Sequence, residues 1–137
     1  MSAQFLARCT RTACAGFAAA WLLLSAVVAT AAEESSATRA EITHLMKYLR
    51  TCGCEFNRNG SWHPALVAHD HILNKLNYLR GRGEIPNAEY FIEEAATRSS
   101  MSGEAYQIRC PGKPVLESRQ WLLDELKRVR HAGTRSP

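Results

Sequence analysis

Apolar residues recur at helical spacing in four stretches of this chain, and two short stretches between them alternate instead. Ile42, Leu45, Met46 and Leu49 form the first helical stripe, behind a T-x-x-E capping box made by Thr38 and Glu41. Gly53 ends it. Ala65, Ala68, Ile72, Leu76 and Leu79 form a longer stripe that Ser61 or His63 can cap, with Pro64 in the first turn. Arg80, Gly81 and Gly83 close that helix. Ile85-Pro86-Asn87 opens a third, with Phe91, Ile92, Ala95 and Ala96 inward and Glu93 and Glu94 outward. Ser118 can cap the last, which carries Trp121, Leu122, Leu126 and Val129.

Cys54-Glu-Phe-Asn-Arg58 is too short for a helix and runs into Asn59-Gly60, so it reads as a strand ending in a turn. Tyr106-Gln-Ile-Arg-Cys110 alternates as a second strand, between a Ser-rich loop (Ser99 to Gly103) and the turn Pro111-Gly112-Lys113-Pro114. Nothing else offers either strand an edge, so the two must pair. The predicted fold is a single, mainly α domain with a small two-stranded antiparallel sheet, in the order α-β-α-α-β-α. A register with Phe56 opposite Ile108 also sets Cys54 opposite Cys110 and Arg58 opposite Tyr106, all on one face.

The first residues do not fit this pattern. Arg8 and Arg11 precede an uncharged run from Ala15 to Ala32, centred on Phe17-Ala-Ala-Ala-Trp-Leu-Leu-Leu and ending in Ala29-Thr30-Ala31. A positive start, a short apolar middle and an A-x-A exit are the parts of a cleaved secretory signal, expected over residues 1–31. The alternative, an uncleaved anchor, suits this alanine-rich run less well. A polar linker is expected over 32–37, one globular domain over 38–131 and a frayed tail over 132–137.

Removing the leader takes away two arginines and no acid, which halves the formal charge of +4. The remaining charge is no argument for nucleic acid, and no basic run with interleaved aromatics supports one. Cys52, Cys54 and Cys110 remain in the exported chain, where a disulfide is the default. The register favours Cys54–Cys110 over Cys52–Cys110 and leaves Cys52 as the odd thiol. Closing a loop of some 55 residues contributes roughly 4 kcal/mol.

Several motifs coincide in order and spacing. Phe56-x-Arg58-Asn59-Gly60 leads to His63, then to Ala68-x-x-His71-Ile72-x-x-Lys75-Leu76. Ile85-x-x-Ala88-Glu89-x-Phe91-Ile92, Ala96-x-x-Ser99-Ser100-Met101-Ser102-Gly103-x-x-Tyr106 and Trp121-Leu122 follow. Together, from about Glu41 to Arg130, they resemble the YfeK-like family of small exported bacterial proteins, a domain of unknown function. The chain departs from that pattern at Ala105, where proline is typical, and at Glu104, where lysine or arginine is common. The resemblance implies Gram-negative export and a shared fold, and it implies no activity.

His71 and Lys75, four apart on one helix, share a face. With Arg58, Asn59, His63, Ser99, Ser100, Ser102 and Tyr106 they make a candidate polar cluster. Its plainest role is structural, with the serines capping a turn and His71 bonding the loop, or the seating of a small ligand or periplasmic protein. A hydrolase would instead take a loop serine as nucleophile, His71 as base, and Asn59 or the Gly103 amide as oxyanion donor. No G-x-S-x-G elbow accompanies them, and no catalytic residue is assigned. His69 and His71 point in different directions on a helix, and neither C-x-x-C nor H-E-x-x-H occurs, so no metal and no cofactor is expected. Cys52-Gly53-Cys54 leaves thiol-redox chemistry as a third alternative.

The expected function is that of an exported periplasmic, non-catalytic interaction or ligand-binding module. Neither nucleic acid nor, once the signal is removed, a membrane is an expected partner. Expressed with its leader, the protein should be recovered from the periplasm with its amino terminus at Ala32 or Glu33. Amino-terminal sequencing checks this, and an intact Met1-containing chain in the membrane fraction would contradict it.

Overall fold

In the computed structural model, which describes residues 34–134, the first helix starts earlier than its capping pattern predicts. Helix α1 spans Ser36–Thr51, and its N-cap is Ser35, whose Oγ accepts from the Thr38 N–H at 3.1 Å. Glu41 does not turn back to complete a capping box with Thr38. It is held instead by Arg130 at 2.7 Å. Part of the expected linker is therefore helix, while the expected signal peptide lies outside the described residues.

The sheet has four strands, where the alternation predicts two. Strand β1 (Glu55–Arg58) pairs antiparallel with β3 (Gln107–Arg109), and Phe56 faces Ile108 as the expected register requires. Cys54 and Cys110 are joined as a disulfide, and Cys52 is the free thiol. The added strands are β2 (Ser61–Pro64) on the outer edge of β1 and β4 (Leu116–Glu117) on the outer edge of β3. Asn59 and Gly60 have φ of 52° and 80°, so they form a two-residue loop that returns the chain as a tight hairpin. Ser61 and His63 consequently lie in a strand, and Pro64 itself becomes the N-cap of helix α2 (Ala65–Gly81). Two residues of β4 are too few to display any period.

The third helix is a short α3, Ala88–Phe91, that widens into a π-helical turn over Ile92–Ala96. Asn87 caps it, accepting from the Tyr90 N–H at 2.7 Å. Helix α4 covers Ser118–Gly133 and runs past His131, the expected limit of the domain. Among the described residues no helix is long and apolar enough to cross a membrane.

One sheet face is covered by the helices. Phe56 and Ile108 are buried on it with Ile42, Leu45, Leu49, Ile72, Leu76 and Phe91. Trp121 of α4 stacks on Tyr48 of α1 and meets the Phe56 ring edge-on. The alternate residues Glu55 and Arg109 lie opposite each other on the outer face and pair at 2.6 Å. Ser118 does not cap α4. Its N–H donates to the Tyr106 carbonyl at 2.9 Å, and its fully buried Oγ has no hydrogen-bond partner among the described residues. A buried hydroxyl without a partner costs desolvation and returns nothing. Ser118→Ala should therefore leave stability unchanged or raise it by about 1 kcal/mol in denaturant unfolding. A loss of comparable size would mean that the hydroxyl makes a bond the fold needs.

Candidate functional site

The sheet face that buries Phe56 and Ile108 continues past the core edge with Arg58, His63 and Tyr106, and α2 crosses above them with His71 and Lys75. Period-two alternation puts the first three side chains on one face, and helical spacing puts the last two on the facing side of α2. Between hairpin and helix lies an open cleft of about 70 Å³, with Phe56, Val67, Ala68 and Ile72 as its apolar wall and Arg58, His63, His71 and Tyr106 as its polar one. Arg58 Nη1 donates to His71 Nδ1 at 2.9 Å, and His71 Nε2 lies 3.0 Å from the Tyr106 hydroxyl. The Lys75 ammonium donates to the Arg98 carbonyl at 2.9 Å and sits 5.2 Å from the centre of the Tyr106 ring.

The serines are placed elsewhere. Ser99 is buried, and its Oγ accepts from the Met101 and Ser102 amides at 3.4 and 3.3 Å, which folds the loop on itself. Ser102 Oγ donates to Asn59 Oδ1 at 2.7 Å and so ties that loop to the hairpin turn. Ser100 is exposed and makes no side-chain hydrogen bond among the described residues. The structure thus brings Arg58, His63, His71, Lys75 and Tyr106 together, and it sets Asn59 and the serines in an adjoining turn-to-loop contact. His69 turns away to Asp70 at 2.9 Å, and no three metal-ligating side chains converge among the described residues.

Burial pushes the His71 imidazole below its ordinary pKa, and the charges of Arg58, Lys75 and His63 push the same way. Burial lowers Lys75 too, with Glu94 opposing and Arg58 adding to the shift. Tyr106 is raised by burial, against the pull of Arg58. The site is therefore built around a neutral imidazole beside a fixed cation.

Two features escape sequence reasoning. Val67 and Ala68 line the cleft although they read as ordinary helix positions. Glu125, also missed, is a buried carboxylate on α4 that accepts from Arg128 at 2.7 Å and contacts His44 Nε2 of α1 at 2.6 Å. The hydrogen bonds from Arg128, then that of His44, hold it below the usual carboxylate range. Its signal was present in the chain: an acid set into the apolar stripe between Leu122 and Leu126.

A family pattern matches residues 36–130, from the start of α1 to near the end of α4. The chain belongs to that family, a family of unknown function (DUF5329). The match covers the whole span of the YfeK-like motifs, and its description assigns neither that name nor a compartment. No curated protein and no solved structure matches the chain.

The His71 shift has a consequence for stability. Because the folded state disfavours the protonated ring, the unfolded chain takes up that proton first as the pH falls. The contribution is intact above about pH 6.5 and is lost as the pH drops toward the folded-state value. The paired carboxylates Glu34, Glu89, Glu93 and Glu125 have lowered values, so their contributions are present above about pH 4.5 and are lost as the pH falls below it. The melting temperature should thus fall as the pH drops below 6.5, and His71→Gln should flatten that part of the profile. At pH 7, His71→Ala should cost on the order of 1–3 kcal/mol, because it takes the partner from the hydroxyl of the buried Tyr106. A His71→Ala protein as stable as the parent at pH 7 would remove the structural role of the ring.

Proposed function

We propose that the domain is an exported, non-catalytic ligand-binding module whose seat is the cleft between the β1–β2 hairpin and α2. The observation that carries this reading is that both ring nitrogens of His71 are engaged, one by Arg58 and one by Tyr106. A base for serine attack needs a nitrogen within hydrogen-bond reach of the hydroxyl. Ser99 accepts from its own loop and Ser102 donates to Asn59, so neither hydroxyl is bonded to the imidazole. What the cleft does offer is a concave apolar wall faced by a few fixed polar groups, the composition typical of small-molecule sites. Export rests on the leader pattern, and the Cys54–Cys110 bridge is in keeping with an oxidising compartment. The thiol-redox alternative is weakened at Cys52, where burial raises the pKa and so lowers the thiolate fraction.

Two measurements on the purified protein test the reading. Titration with isovalerate and with isoamyl alcohol, followed by amide chemical shifts, should move Arg58, Val67 and His71 selectively. Hydrolysis of a p-nitrophenyl ester should not exceed the buffer rate by any amount that Ser100→Ala, Ser102→Ala or His71→Ala removes. Ester turnover lost in those variants would make the domain a hydrolase.

A further inference from the structure

We infer that the ligand of this cleft is a carboxylate carried on a short apolar stem, an assignment that rests on the cleft being a ligand seat. It begins with the direction of two hydrogen bonds. A guanidinium can only donate, so His71 Nδ1 must be the acceptor of the 2.9 Å bond from Arg58. The neutral ring then carries its proton on Nε2 and donates it to the Tyr106 oxygen at 3.0 Å. Tyr106 keeps its own hydroxyl proton, for which the described residues supply no acceptor. This phenol is only 4% exposed and lines the cleft. The hydroxyl proton is therefore free to donate into the open cleft, to an acceptor that arrives with the ligand.

Charge points the same way. Arg80 is paired with Glu34, Arg109 with Glu55, and Arg130 with Glu41 and Glu89. Arg58 has no carboxylate partner among the described residues, and no acidic residue lines the cleft. Glu94 acts on Lys75 but is not part of the lining. One carboxylate oxygen can therefore accept from the Tyr106 hydroxyl and the other from the Arg58 N–H groups not used by His71, both as charge-assisted bonds. The cleft, of about 70 Å³, can seat a small branched alkyl group against the wall of Phe56, Val67, Ala68 and Ile72. A free branched-chain acid and the last residue of a peptide with an apolar end both present this chemistry.

The test is a shift titration of the purified protein with isovalerate, isoamyl alcohol, glycyl-glycyl-leucine and the amide of that peptide. Isovalerate should bind about tenfold more tightly than the alcohol, and the free peptide about tenfold more tightly than its amide. Arg58→Gln and Tyr106→Phe should each weaken the acids by about tenfold and leave the alcohol unchanged. Arg58 is exposed, so its variant keeps the test intact if Tyr106→Phe unfolds the domain. Whichever acid binds more tightly identifies the source, a free acid or a chain end. Equal affinity for acid and alcohol would overturn the carboxylate assignment and leave the cleft as a seat. No cleft shift with any probe would overturn both.

Discussion

Cys54 and Cys110, 56 residues apart in the chain, close one end of the antiparallel pair formed by β1 and β3. Bringing such distant segments together has an entropic cost that no local contact offsets, and the bridge removes much of it from the unfolded state. The remainder of the sheet grows outward from this pair, β2 folding back on β1 and β4 on β3. At the far end of the same two strands stand Arg58 and the Tyr106 that leads into β3. Their side chains meet α2 only because the register is fixed. A slip of one residue in either strand would turn that strand's side chain to the opposite face and dismantle the cleft.

The central register was legible because two independent signals agreed on it. Alternation placed Phe56 against Ile108, and the same pairing matched the cysteines. The edge strands left no comparable mark. Ser-Trp-His-Pro reads as the approach to a helix, and only the left-handed Asn59-Gly60 pair turns it into the return arm of a hairpin. Ser35 caps in place of Thr38, and Glu41, the other half of the expected box, is drawn off to Arg130 on α4. That competition is between groups far apart in sequence and cannot be read from either segment alone.

The polar cluster was legible in part for the same reason. Residue type and face predicted that Arg58, His71, Lys75 and Tyr106 could meet, since each lies on a regular element. The serines lie in a loop, where no period fixes direction, and they turned to the backbone and to Asn59. The apolar wall was hidden because Ala68 and Ile72 serve the helix stripe and the cleft at once. Glu125 shows the converse case, a charge inside an apolar stripe whose partners, Arg128 and His44, come from its own helix and from α1.

Both borders of the sheet are poor templates for a neighbouring chain. β2 ends at Pro64, which has no N–H to offer, and the Trp62 ring on it is covered by the Arg109 guanidinium at 4.3 Å. β4 presents only two residues before the chain turns into α4. Proline and extreme shortness are both means by which natural sheets avoid edge-to-edge growth. A sheet this small, with its outer rows of amides cut short, offers little for a strand of another copy to extend.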